Sequence, residues 1–442
     1  MKKSKTLAVL CALALMLSAA ATGCSKPDSG SSTNSTSDGT GTVSTAAATG
    51  ATITLSIATN AVGDQSKALQ AIAQDFEKEN PNIKVNFSAP GSDYESIMKV
   101  KMASNQLPDV FATHGWAVAR YGNYLEDLSS ESWASQVDDS IKPFITDSKG
   151  KLYVLPMDMD KTGINYNVDI LKKYNVEVPK TWDEFLAACE TIKTKSNGSI
   201  SPVHVGGGDS WTQGQYFDFF ATPAFLSGKT SYESQFKDGS FDWTKFDILP
   251  QNLLTLFKKG YLNKDYLTSK YEDSAKQMAQ GKAAFTFYGP SFESTVLADN
   301  PKANIGLMPI PALKSGEDVS FVGGEKTTWG VWKDSKNIDA AKKFVSYFAK
   351  EENIKKVCKS SGLPSGLSGI EVDDGALTSY FKTYSSVKVY PYFDRECLPD
   401  GMWDVMTQNA GDMIAGSITP RQYSENMKSE FTRLKSQTEA AK

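Results

Sequence analysis

The sequence predicts an α/β protein with a partly parallel sheet, helices on its faces, and enough chain for more than one core. Three observations carry this. Apolar residues alternate at Ile53, Leu55 and Ile57, and again at Ile83, Val85 and Phe87, which is the period of a half-buried strand. Between them, Leu69, Ile72, Ala73 and Phe76 recur at helical spacing over 66–78, and Asn80-Pro81 ends that helix. A strand, helix, strand succession of this length is a crossover unit, and crossovers join parallel strands. Finally, 442 residues exceed what one ordinary core holds, so two or three domains are expected.

The N-terminus reads as a targeting device. Lys2, Lys3 and Lys5 precede an apolar run over 7–17, which fits a secretory signal peptide and is too short to span a bilayer, where about 20 residues are needed. Ala21-Thr22-Gly23-Cys24 follows. Small residues before a cysteine here resemble a bacterial lipobox, with Ala21 where leucine is usual. The resemblance implies cleavage after residue 23 and a diacylglycerol on Cys24, whose two acyl chains would anchor stably where one is marginal. An ordinary signal peptide with an incidental cysteine is the alternative. Residues 24–50 are almost all Ser, Thr, Gly, Ala and Asp, a composition that cannot bury enough surface to fold and behaves as a tether.

Composition excludes several classes. The formal charge is −4, and removing the three N-terminal lysines takes it to −7. A mildly acidic chain without a basic block is not a nucleic-acid binder. Cys11 leaves with the signal and Cys24 takes the lipid, so Cys189, Cys358 and Cys397 remain. Three cysteines make no disulfide scaffold, though Cys358 and Cys397 could pair, and their spacing suits no structural zinc. With only His114 and His204, histidine-cluster metal sites are excluded, and no Gly-x-Ser-x-Gly elbow accompanies them. The 18 tyrosines, 22 phenylalanines and 8 tryptophans suit either large cores or stacking on flat ligands.

Taken in order, the body continues with a helix over 93–103 and a proline-led buried strand at Leu107-Pro108-Asp109-Val110-Phe111. His114-Gly115-Trp116 lies just past its end. Ligands of open α/β sheets bind outside the carboxyl ends of strands, so Gly115 and Trp116 are candidate contacts, with a core tryptophan as the alternative. Gly150-Lys151-Leu152-Tyr153-Val154-Leu155-Pro156 and Gly163-Ile164-Asn165-Tyr166-Asn167 come next. Between them Asp158 and Asp160 could accept hydrogen bonds from ligand hydroxyls, or could simply belong to a solvated hinge loop. In Pro179-Lys180-Thr181-Trp182-Asp183-Glu184-Phe185, Thr181 caps a helix, Glu184 completes a capping box, and Trp182 and Phe185 face inward. Gly206-Gly207-Gly208 lacks the Lys and Ser/Thr of a P-loop and reads as a mobile loop delivering Trp211, while Tyr216, Phe217, Phe219 and Phe220 line a second core.

The stretch 278–292 reads as a helix end, a tight turn, a buried strand and a second turn. Gly281 stops the helix 271–279, Ala283-Ala284-Phe285-Thr286-Phe287-Tyr288 is a short buried strand, and Gly289-Pro290 ends it. Later come Met308-Pro309-Ile310-Pro311, Val322-Gly323-Gly324-Glu325, and an amphipathic helix over 338–350 with Ala341, Phe344, Val345 and Phe348 on one face. Tyr392-Phe393-Asp394-Arg395 and Leu398-Pro399-Asp400-Gly401-Met402-Trp403 put aromatic rings beside charge in a Pro/Gly-rich loop. A polar helix over 420–431 closes the body.

Together these motifs resemble the family 1 extracellular solute-binding proteins of carbohydrate ABC importers: the Gly-x-x-Tyr-x-x-Pro strand, the Thr-Trp-Asp-Glu-Phe helix start, Gly-Lys-Ala-Ala before an apolar strand, the Pro-x-Pro and Gly-Gly strands, and Gly362-Leu363-Pro364. The resemblance covers about residues 53–431. It implies a two-lobed periplasmic-binding-protein type II fold with three interlobe crossings, at 157–162, at 278–292 and at 329–337. The lobes expected from it are 51–160 with 289–331, and 161–288 with 332–442. It implies a sugar, more simply an oligosaccharide given the tryptophans, held in the interlobe cleft and passed to permease subunits. The chain would be a monomer tethered through Cys24 to the outer face of the cell membrane, with no cofactor, metal or catalytic residue. The ligand-binding set expected is Gly115, Trp116, Asp158, Asp160, Trp211, Tyr288, Glu325, Asp394, Arg395 and Trp403. For the last three the alternative is a salt-bridged loop. Two other functions stay open: a glycosidase, which needs only two suitably spaced carboxylates, and a binder of ferric ion, polyamine or peptide, against which Tyr166 stands alone in its strand.

Overall fold

The computed structural model describes residues 52–440, apart from 228–230, 315 and 374. The signal peptide, Cys24 and the tether lie outside the described residues.

The expected crossover opens the fold. Strands β1 (Ile53–Ala58) and β2 (Ile83–Ser88) pair in parallel, Ile53 opposite Ile83, around the helix Gly63–Glu79. β3 (Val110–Phe111) adds in parallel on the other side of β1. β4 (Leu155–Pro156) and β11 (Thr328–Val331) complete a five-stranded sheet in the order β2-β1-β3-β11-β4. Its core holds Leu69, Ile72 and Phe76 on one helix and Ala341, Phe344, Val345 and Phe348 on the helix Ile338–Phe348. Phe76 and Phe344 meet edge to face, ring centroids 5.2 Å apart. Asp109, just before β3, ties the first lobe's parts together: it accepts from Ser56 Oγ at 2.7 Å and Ser335 Oγ at 2.5 Å.

A second sheet runs β7-β8-β6-β9, from β6 (Ile164–Asn167), β7 (Ser201–Val203), β8 (Ala283–Thr286) and β9 (Ile305–Met308). Its core is aromatic. Trp182 and Phe185 stack at 5.6 Å, and Tyr216, Phe217, Phe219 and Phe220 are all buried. Thr181 Oγ1 accepts the Glu184 N–H at 3.2 Å, so the cap forms as expected; the Glu184 carboxylate, however, receives the N–H of Lys180 rather than of Thr181. Gly206, Gly207 and Gly208 are not an open loop. An added Cβ on Gly206 would fall 2.2 Å from the Lys270 carbonyl carbon, and one on Gly207 2.5 Å from the Tyr266 carbonyl oxygen. These glycines permit close backbone packing.

Between the two cores lies a small sheet, β12-β10-β5, of β5 (Met159–Thr162), β10 (Phe321–Glu325) and β12 (Val389–Pro391). Asp160 pairs with Gly324 and Met159 with Glu325. The chain passes between cores along β5, between β10 and β11, and between Leu367, buried in the first core, and Leu377, buried in a cluster with Leu307 and Phe321. Only the first passage lies where the sequence suggested. β8 stays in the second sheet, pairing with β6, and after Gly289-Pro290 the chain turns into the helix Phe292–Asp299, which packs on the second lobe through Tyr288 and Phe292. The expected division at 289–331 and 332–442 therefore shifts: β9 and β10 lie with the second lobe, and the helices Ile338–Phe348 and Glu351–Ser361 with the first. Cys358 packs in the first core and Cys397 in the second, and no disulfide joins them.

Candidate functional site

A cleft of about 540 Å³ lies between the two cores. Its first wall starts where β3 ends. His114 and Gly115 both take positive φ, +50° and +82°, and turn the chain so that Trp116 lines the cleft. Gly115 is required by a close approach as well as by its backbone: an added Cβ would fall 1.9 Å from Nη1 of Arg395 on the opposite wall. The Arg120 guanidinium lies 4.1 Å from the Trp116 ring centroid, a cation–π contact. Arg120 Nη1 donates to Glu95 Oε2 at 2.7 Å, and Nη2 reaches across to Asp400 Oδ1 at 2.8 Å. Lys99 Nζ lies 3.4 Å from the other Asp400 oxygen.

The second wall is built on two helices. Trp211 starts the helix Trp211–Ala221, packs against Tyr271 at 5.4 Å, and keeps 41 % of its surface exposed. Gly214 lets the helix Met402–Ile414 come close, since an added Cβ would sit 2.9 Å from Trp403 Cζ2; this seats Trp403 in the cleft. One turn on, Asp218 is 1 % exposed and accepts the backbone N–H of Asp394 at 2.9 Å. That bond holds the start of the helix Phe393–Cys397, which presents Asp394 and Arg395. Arg395 stacks over Tyr392 at 4.2 Å.

Charge in this wall is unevenly compensated. Burial pushes the Asp218 carboxyl well above the usual carboxylate range, and the neighbouring Asp394 adds to the effect. Asp394 is also raised, by burial, with Arg395 opposing. Glu325 is raised to about 7 by burial, again opposed by Arg395. Burial also acts on Asp160, but Lys326, Thr162 and Tyr392 outweigh it and hold that carboxyl below its ordinary value.

Five of the ten residues expected at the ligand line the cleft: Trp116, Trp211, Asp394, Arg395 and Trp403. Gly115 borders it through its approach to Arg395. The other four lie behind the walls. Asp158 is fully buried and takes the Thr327 N–H at 2.6 Å and its hydroxyl at 2.9 Å, fastening two passages between the lobes together, and it does not line the cleft. Asp160 receives the Tyr392 hydroxyl at 2.6 Å and so supports a cleft residue. The Tyr288 hydroxyl is used up by the Gly206 N–H at 2.6 Å and Ser274 at 3.0 Å. Glu325 is 2 % exposed, with Oε1 unpartnered. The cleft also holds Glu95, Lys99, Arg120, Asp218, Lys326 and Asp400, which sequence reasoning did not single out. Asp218 alone left a trace: it is one carboxylate inside the buried aromatic run Tyr216-Phe217-Asp218-Phe219-Phe220, where an unpaired charge is costly.

Comparison with known proteins gives a consistent picture. The chain is 38 % identical over 388 residues to the melibiose/raffinose/stachyose-binding protein MelE of Bacillus subtilis, covering 87 % of this chain and 91 % of that one. A crystal structure of a Bacillus subtilis binding protein in an open conformation superposes with a TM-score of 0.85 at 37 % identity, covering 88 % of this chain and 99 % of that one. A Bacillus licheniformis sugar transporter protein in complex with stachyose superposes with a TM-score of 0.78 at 40 % identity, covering 86 % of this chain and all of that one. The family model of bacterial extracellular solute-binding proteins matches residues 61–355, two thirds of the sequence and parts of both lobes, and the chain belongs to that family.

Proposed function

We propose that this protein captures an oligosaccharide of the melibiose, raffinose and stachyose series in the interlobe cleft and delivers it to the permease subunits of an ABC importer. The observation that carries this is the lining of the cleft. Three tryptophans, Trp116, Trp211 and Trp403, line it and supply rings on which sugar C–H groups can stack, and three of its cations lie against carboxylates. Arg120 and Lys99 are engaged with Glu95 and Asp400, and Lys326 lies 3.5 Å from Asp160. Such walls suit a neutral, hydroxyl-rich ligand, which charge-assisted hydrogen bonds recognise. The similarity to MelE and to the stachyose complex supports the sugar class.

In this reading no bond is broken. Ligand touching both walls stabilises their approach, and the closed form docks on the transporter. A lipid on Cys24 would hold the monomer at the outer face of the membrane. Thermal-shift titration with melibiose, raffinose, stachyose and maltose, with the same wells assayed for reducing ends, tests the function. A rise with the first three sugars and no new reducing ends is expected, because only native-state binding raises the midpoint. New reducing ends would replace this reading with a glycosidase. Cys24→Ala should move the protein from the membrane fraction to the medium.

A further inference from the structure

Asp218, Asp394 and Glu325 all act on Arg395, and Asp394 feels Arg120 as well. Asp218 and Glu325 are 1 % and 2 % exposed. Asp218 takes the Asp394 N–H at 2.9 Å, which sets the two residues side by side, and the Asp394 carboxyl disfavours ionisation of Asp218. One guanidinium does not fully neutralise two buried carboxylates and the half-buried Asp394, and neighbouring carboxylates with little water between them resist being ionised together. The other ionisable groups facing the pair do not change this. Tyr392 and Cys397 are neutral, Asp404 is a further carboxylate, Arg120 is bound to Glu95 and Asp400, His114 lies against Glu95, and Lys326 lies 3.5 Å from Asp160.

We propose that Asp218 and Asp394 share one proton in the folded protein, and that this acid–carboxylate pair is the element of the cleft that reads a sugar hydroxyl, with Asp218 the residue that holds the pair in register. The inference rests on the sugar-binding function proposed above. A hydroxyl is both donor and acceptor. A protonated carboxyl donates to it and an ionised one accepts from it, so a pair with one proton satisfies both at once; two carboxylates could only accept. Asp218 acts through Asp394. It fixes the start of the helix Phe393–Cys397 and, by carrying or sharing the proton, keeps Asp394 next to Arg395 without uncompensated charge. Sugar affinity then depends on a proton, and it falls as rising pH strips the pair.

The test has two arms on the full chain. Infrared difference spectra of ligand-free protein carrying 13C-labelled aspartate should show a protonated aspartate band at pH 7 that D218N removes. This arm needs no sugar and no mutant affinity, because the wild-type band can be titrated directly. In the second arm, raffinose and stachyose affinities are measured from pH 6 to 9. Wild type should lose about tenfold or more over that range, D218A should lose more than tenfold already at pH 6, and D218N should recover most of that loss with a flat pH profile. Absence of the aspartate band at pH 7, or D218N as impaired and as pH-dependent as D218A, would overturn the proposal. If wild type binds neither sugar, the ligand assignment fails, while the infrared arm still decides whether the proton is there.

Discussion

Arg120 on the first lobe and Asp400 on the second are joined across the cleft by a 2.8 Å hydrogen-bonded ion pair, with Arg120 braced from behind by Glu95. The two lobes thus touch through charge. Arg120 is 13 % exposed and Asp400 54 %, so the pair is half in water and is worth about 0.2–1 kcal/mol. D400N should therefore weaken sugar binding only about two- to fivefold at low salt, by shifting the equilibrium between open and approached lobes. The deficit should vanish near 1 M salt, where the screening length is about 3 Å. Calorimetric titration of both proteins at two ionic strengths checks this; a loss that persists undiminished in high salt would mean Asp400 touches the ligand itself.

Gly115 and Arg395 make the second contact between the walls. Alanine at 115 brings two penalties: φ of +82° is unfavourable for any residue with a Cβ, and that Cβ would fall 1.9 Å from Nη1. The guanidinium is the far end of a flexible side chain, so it can move aside. G115A should then lower melting temperature modestly, by about 1–2 kcal/mol of backbone strain, yet cost ligand affinity tenfold or more, because the displaced Arg395 leaves its place over Tyr392. Equal losses in stability and affinity would point to general unfolding of the 112–125 loop instead.

The pattern of residues told more about the elements than about their partners. The strands at 53–58 and 83–88 and the Thr181 cap were legible because each is set by spacing within a few residues. The run 283–288 was equally legible as a buried strand, but whether it leaves the second lobe depends on its pairing with β6, more than a hundred residues upstream, and no local pattern encodes that. The same limit applies to the site. Trp116 and Trp211 follow glycines near the ends of strands, a placement that local reasoning detects. Asp158 and Asp218 invert each other: the first looked like a ligand contact in a crossing segment and is a buried fastening for Thr327, while the second was hidden in an aromatic helix and faces the cleft. A carboxylate's neighbours come from distant segments, so its role is set only when those segments meet.

Trp211 separates binding from stability. It keeps 41 % of its surface in solvent, and its ring meets those of Tyr271 and Tyr288 at 5.4 and 5.9 Å. W211A should cost the fold about 1 kcal/mol, the order of one or two aromatic contacts. A loss of affinity of about tenfold or more, with raffinose or stachyose as ligand, is expected if the exposed face stacks on a sugar ring. Unchanged affinity would remove Trp211 from the ligand set and leave it as a cap on Tyr288.

Glu325 ties the connecting sheet to pH. Burial raises its carboxyl from 4.5 to about 7, with Arg395 only partly opposing. The folded protein therefore retains a proton that the unfolded chain releases as pH rises past 4.5. Between about pH 4.5 and 7 each step up in pH costs the fold stability, and above about 7 the penalty is fully present, at most about 3 kcal/mol. Glutamine at this position carries no charge in either state, so E325Q should remove that dependence. Its melting temperature relative to wild type should climb from pH 5 to pH 8, whereas loss of an ordinary surface carboxylate leaves that difference nearly flat. Because Oε1 has no partner, the substitution breaks no hydrogen bond at that atom. A difference that stays constant from pH 5 to 8 would show that Glu325 is ionised throughout, and that Arg395 rather than burial governs this end of β10.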